Sequence, residues 1–139
     1  IGADSKKMQG MALYQMGFEE FLPFVSDLPE PTAFLEDEKT LADTFSVCTF
    51  SEEIKKSLAE WKILHTPGHT EGSVCLYNES EPTLLSGDTL FYHSWGRTDL
   101  IGGNERKIHE SLMKIHELCD ENTRVYPGHD HTGFTLAEN

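Results

Sequence analysis

WKILHTPGHTEGSVCLYNESEPTLLSGDTL, residues 61–90, decides how this chain is read. Trp61 to Leu64 is an apolar run with the length and β-branched content of a buried strand. It stops at His65-Thr66-Pro67-Gly68-His69-Thr70, where Pro67 and Gly68 bar both a continued ladder and a helix. A second strand is expected over Ser73–Tyr77 and a third over Thr83–Leu85, the latter ending at Ser86-Gly87-Asp88-Thr89. The end of the chain repeats the pattern: a short strand over Thr123–Tyr126, then Pro127-Gly128-His129-Asp130-His131. Three strand-end turns thus present His69, Asp88 and His129. Imidazole and carboxylate groups on rigid strand ends are what a transition-metal site requires.

The remaining chain frames this stretch. At 139 residues it has one domain's worth of sequence, read as a single domain over 1–139. The formal net charge of −13 argues against nucleic acid and against anionic membrane surfaces as partners, since both call for basic patches. No apolar run approaches the ~18 residues of a spanning helix, and neither a basic leader nor an apolar leader segment opens the chain. Cys48, Cys75 and Cys119 are an odd number at no metal-like spacing, which suggests free thiols in a reducing, cytoplasmic setting.

Asp4–Met16 has helical composition with a methionine stripe, stopped by Gly17. The aromatic segment Phe18–Phe24 either packs on the core or covers a site. Short strands are expected around 33–36 and 45–50. Ser51–Glu60 suits either a helical turn or an edge hairpin. Phe91–Leu100 is a long polar-aromatic loop, of the kind that carries function in compact domains. An amphipathic helix over Glu105–Cys119, capped by Gly103 or Asn104, places Ile108, Leu112, Ile115 and Leu118 or Cys119 on one face and makes His109 and His116 surface residues. The tail from Thr132 reads as loop with a helix start. Strands alternating with helices and loops indicate a layered α/β or α+β fold.

Four segments, HTPGHTEGS, LLSGDTLF, SWGRTDLIGG and RVYPGHDHTG, in this order and at these spacings, resemble the second half of a metallo-β-lactamase-fold hydrolase. The glyoxalase II-like branch is the nearest in pattern, from about Trp61 to Thr135. The resemblance implies an αβ/βα sandwich, of which this chain would be the C-terminal portion. It implies two divalent metals, zinc or else iron, with His69 on one, His129 on the other and Asp88 bridging them as the central catalytic ligand. It implies a small-molecule substrate, a thioester or similar acyl compound. A mononuclear iron sulfur dioxygenase of the same fold is the alternative, since the YPGHD…GFT ending resembles that branch, although Gly128 stands where the branch carries Ala. A non-catalytic binding or subunit module is a third reading.

The family's HxHxDH motif is absent from this sequence. Ile1-Gly2-Ala3-Asp4 resembles the segment that follows that motif, so the expectation is an N-terminally truncated fold. With four of seven metal ligands missing, the chain as it stands is expected to bind metal weakly and to be inactive. Sheet surface left bare is expected to drive association with another copy. Arg97 either pairs with Asp99 or a loop carbonyl, or orders the site loop and holds an anionic substrate group. Asp99 belongs to that loop. Asp130 and His131 either support His129 and shape the substrate rim or form a solvated turn. His65 and His93 are not expected to be ligands.

Overall fold

Strand alternation in the central stretch becomes a mixed sheet. Trp61–His65 (β1) pairs antiparallel with Val74–Asn78 (β2), and β2 pairs antiparallel with Thr83–Gly87 (β3). Leu90–Phe91 (β4) and Ser94–Trp95 (β5) form a small separate hairpin inside the expected loop. Arg124–Pro127 (β6) joins parallel to β3, and Phe134–Thr135 (β7) closes antiparallel on β6. The resulting order is β1-β2-β3-β6-β7. The computed structural model describes residues 33–139 together with Gly17 and Glu20. The helix expected over Asp4–Met16 lies outside the described residues, as does Phe18–Phe24 apart from Glu20. Gly17 itself takes φ +77, a left-handed conformation that favours glycine.

Three α-helices are described. Leu41–Thr44 (α1) starts from a capping box in which Thr40 and Asp43 exchange hydrogen bonds. Glu52–Ala59 (α2) is capped by Ser51, which settles the open reading of 51–60 as helix. Glu105–Leu118 (α3) starts at Asn104, whose Oδ1 accepts from the Lys107 amide at 3.0 Å. Two expectations fail. Residues 33–36 form no strand, and residues 45–47 are a turn after α1. Local capping by Thr40 and Asp43 overrode the β propensity of Phe45 and Val47, and Val47 is left 92% exposed. Edge pairing with β1 falls instead to residues 38–40: the Glu38 amide donates to Ile63 O and the Ile63 amide to Lys39 O, both at 2.8 Å.

One face of the sheet carries the core. Leu64, Cys75, Tyr77, Leu84 and Val125 are buried there by the two-residue alternation, and Ile115, Cys119 and partly buried Leu112 of α3 cover them. Phe134 and Leu136 complete the cluster from the tail, where Leu136–Glu138 forms a 3₁₀ turn. Burial pushes the Cys75 thiol up to about 11 and the Cys119 thiol up to about 12. Both thiols are therefore inert fillers, and all three cysteines are free. The opposite face carries a cross-strand row in register, Ile63, Leu76, Leu85 and Tyr126. Ile63 is fully buried, while Leu85 and Tyr126 are each 39% exposed.

Lys114 ties α3 to the start of the described chain. Its Nζ lies 2.7 Å from both oxygens of Asp37, and Asp37 Oδ1 also accepts from the His65 amide at 2.7 Å. Burial alone would raise the Asp37 carboxyl; the Lys114 and His65 donors outweigh it and the net shift is downward. A depressed carboxylate contributes stability above its unfolded pKa of about 3.9, and that contribution is lost as pH falls through the folded value. Asp37→Ala should therefore cost on the order of 1 kcal/mol at neutral pH, read by urea unfolding. Its deficit against the parent chain should shrink below about pH 4.

Candidate metal centre

The three strand-end turns are built by local bonds and then locked together. Beyond β1, the Thr66 amide donates to Ser73 O at 2.9 Å and the Gly68 amide to Thr70 O at 3.0 Å. This turn is pressed onto the start of α3. Gly68 O accepts from the Asn104 amide, and Pro67 O accepts from Ser111 Oγ, both at 2.7 Å. Gly68 has φ +144, and a Cβ there would stand 2.4 Å from the Ile108 backbone, so only glycine permits the approach. Beyond β3, the Thr89 amide closes a turn on Ser86 O at 3.0 Å. Beyond β6, the Gly128 amide donates to Gly87 O at 2.8 Å, carrying the parallel pairing past Pro127. Beneath the turns, buried Thr66 Oγ1 bonds Thr89 Oγ1 at 3.1 Å and Cys75 Sγ at 3.3 Å.

His69, Asp88 and His129 converge on this edge. His69 Nδ1 donates to Arg97 O at 2.8 Å, and His129 Nδ1 donates to the Asp130 carboxylate at 2.7 Å. Neither acceptor has a proton to give, so the neutral rings carry hydrogen on Nδ1 and a lone pair on Nε2. Both Nε2 atoms face Asp88: His69 Nε2 is 3.7 Å from Oδ2, and His129 Nε2 is 3.7 Å from Oδ1. That separation is too long for a hydrogen bond. It is near the ~3.4 Å between two donors sharing a tetrahedral zinc-type ion with bonds of about 2.0–2.1 Å. A Cβ on Gly128 would stand 2.6 Å from Asp88 Oδ1, so the bare glycine leaves room for that oxygen. Phe91 backs the His129 ring, with centroids 4.4 Å apart.

The donor chemistry fits the meeting edge of two metal sites, each with one imidazole and one oxygen of a shared carboxylate. It does not complete either. A structural or catalytic zinc takes at least three protein ligands, and among the described residues no group of three His, Cys, Asp or Glu is arranged to hold one ion.

The other candidate residues take supporting places. The Arg97 guanidinium binds Asp99 through two bonds of 2.8 and 2.7 Å. Hydrogen bonding from Arg97 holds the Asp99 carboxyl at about 2. The pairing expected of Arg97 is thus present, and its carbonyl also fixes His69. His131 packs on Tyr92 and Phe134, with centroids 4.9 and 6.3 Å away, as part of an aromatic rim. His65 Nε2 bonds Glu71 O, the His93 amide donates to Asn139 Oδ1, and His109 meets Trp95 edge-on. His109 and His116 are exposed, as expected. Sequence reading passed over Thr66 and Thr89. Their signal was slight, a hydroxyl residue directly after each strand end, and nothing in spacing showed that the two would meet.

Comparison with known proteins adds the family context. The family model described as the metallo-beta-lactamase superfamily matches residues 50–132. A probable metallo-hydrolase, YqgX of Bacillus subtilis, is 46% identical over 79 residues, 54% of this chain and 36% of that one. A hydroxyacylglutathione hydrolase of Pelagibacter ubique is 44% identical over 71 residues, covering 51% of this chain and 28% of that one. The solved structure of TTHA1623 in a di-iron-bound form aligns at TM-score 0.60 and 32% identity, over 79% of this chain and 46% of that chain. The chain spans about a third of the length of curated relatives it matches, 34%, 33% and 28%.

Because the Pro67-Gly68-His69 turn rests on α3 without room for a side chain, Gly68→Ala should cost about 1–3 kcal/mol in urea unfolding. It should also shift the His69 ring signals in a proton–nitrogen spectrum more than those of His109 or His116.

Proposed function

The chain belongs to the metallo-beta-lactamase superfamily, and on that premise we propose that it carries one side of a metal-dependent hydrolase site for a thioester or similar acyl substrate. The observation that carries this reading is the shared carboxylate, with one oxygen of Asp88 turned to each of two imidazoles whose Nδ1 hydrogens are already engaged. The likeness to a protein named hydroxyacylglutathione hydrolase supports an acyl thioester as the substrate class. Divalent ions, zinc by preference, would be held by His69 and Asp88 and by His129 and Asp88; when bound they supply Lewis acidity toward an acyl carbonyl and an acidified water. The chain's own residues orient and shield. Arg97 O and Asp130 set the two rings, the Arg97–Asp99 pair holds the loop, and Phe91 packs against the His129 ring. Exposed Tyr92 and His131 form the rim a substrate would meet.

Two donors per ion are too few, so this chain alone binds metal weakly and does not turn over substrate. The iron dioxygenase reading is disfavoured by Gly128, since the Ala of that branch would crowd Asp88 Oδ1. A chromogenic thioester assay on the purified chain, with zinc or ferrous iron supplied, should show only the background rate of the metal. Turnover abolished by Asp88→Ala would overturn the inactivity claim while upholding the hydrolase. Oxygen uptake with iron and a persulfide would favour the dioxygenase.

The partner is proposed to be a second copy, joined through the sheet face where Leu85 and Tyr126 are exposed. Sedimentation should show an associated species that Leu85→Ser with Tyr126→Ser dissolves; a monomeric parent chain would contradict this.

A further inference from the structure

Far from the metal-donor turns, the opposite end of the sheet carries a feature the hydrolase reading does not use. By register, Trp61, Asn78, Thr83 and Arg124 mark that end, whereas His69, Asp88 and His129 follow the other. Two grooves of ≈ 470 and ≈ 510 Å³ lie there and share Tyr77, Glu79 and Leu118, so they adjoin along one trough-like surface. Ala59 and Leu118 are its exposed apolar lining, while Leu64 and Cys119 are buried.

Tyr77 is only 5% exposed. Among the described residues its hydroxyl makes no hydrogen bond, and the residue lines both grooves. A tyrosine this deeply buried ordinarily finds a partner for its hydroxyl. Here the polar tip keeps solvent access at the trough, where a ligand group can replace water. The rim is strongly acidic. Glu38, Glu60 and Glu79 border one groove, and Glu79, Glu117 and Asp120 border the other, against Lys62 as the one lining cation among the described residues. None of the four glutamates forms an ion pair in the described structure. Elsewhere on α2 and α3, Glu52 pairs with Lys55 and Glu110 with Arg106, while Glu53 and Glu105 form no ion pair among the described residues.

We propose that this trough binds a basic segment of a partner polypeptide, one with lysine or arginine residues flanking an apolar side chain. The apolar side chain would sit on Ala59 and Leu118. The cations would meet the glutamates, and a backbone group would meet the Tyr77 hydroxyl. The second copy is placed on the Leu85–Tyr126 face, which leaves this trough to a different, basic chain. A trough this long and open also suits an extended peptide better than a small cation.

The test uses the full 139-residue chain and a fluorescein-labelled Lys/Leu heptapeptide, with a Glu/Leu peptide as control, at about 0.15 M salt, where long-range attraction is screened. Anisotropy should show binding of the basic peptide only. Glu60→Lys with Glu79→Lys should weaken it by about tenfold or more. Glu53→Lys with Glu105→Lys, the same charge change outside the trough, should leave it within about twofold. Tyr77→Phe should weaken binding about threefold with an unchanged melting temperature, because the hydroxyl it removes has no partner in the fold. Amide shifts should map to Lys62, Tyr77 and Leu118. Equal loss in both double variants, or shifts scattered over the surface, would reduce the effect to general attraction by an acidic chain and overturn the proposal. Spermidine binding in the trough with no peptide binding would overturn it as well. None of these variants touches the metal donors, so failure here leaves the hydrolase reading standing.

Discussion

The parallel pairing of β3 with β6 is the constraint on which the site depends. Two antiparallel strands can be joined by a tight turn, but a parallel neighbour demands a crossover. The chain spends residues 88–123 on it, through the β4–β5 hairpin and α3. That detour does two things. It brings the ends of β3 and β6 to the same edge of the sheet, where the Gly128 amide reaches Gly87 O. It also lays the N-terminus of α3 against the turn after β1, through Asn104 and Ser111. Asp88 is thus positioned from one side by the turn carrying His129 and from the other by the turn carrying His69. A slip of one residue in the β3–β6 register would exchange faces and separate all three.

The site was legible because its residues announce themselves in short-range chemistry. A proline–glycine pair after an apolar run says that a strand has ended and that the next side chain stands on a turn. That holds for His69 and His129, and Gly87 does the same for Asp88. Helix α3 was equally plain, since Asn104 and the Ile108–Leu112–Ile115 spacing speak for themselves. What failed, or stayed open, lay where local and non-local forces compete. Phe45 and Val47 suggested a strand, yet the Thr40–Asp43 capping box turned the chain into a helix just before them. The buried Thr66–Thr89 bond joins residues 23 apart, and no pattern of apolar spacing announces such a pair. The second bond of each imidazole was likewise hidden. Arg97 looked like a side-chain participant, but its carbonyl is what His69 uses.

The molecule also separates its tasks along the sheet. Donor groups with free lone pairs gather at one end, each braced by a hydrogen bond on the far side of its ring. Unpaired carboxylates and an unpartnered phenol gather at the other. Between them lies an apolar core that contains Cys75 and Cys119 as un-ionised thiols. The physical basis of that division is simple. Strand ends are where side chains can converge without disturbing the ladder, and a sheet has two ends.

Zinc titration followed by the nitrogen-15 signals of the histidine rings tests the central claim most directly, because it asks whether Asp88 is shared. The account predicts that the Nε2 signals of His69 and His129 respond together, with weak affinity. It predicts that His69→Ala removes only the first response and His129→Ala only the second, while Asp88→Ala diminishes both. Tight stoichiometric binding reported by His65, His93 or His131, or an undiminished response in Asp88→Ala, would contradict it.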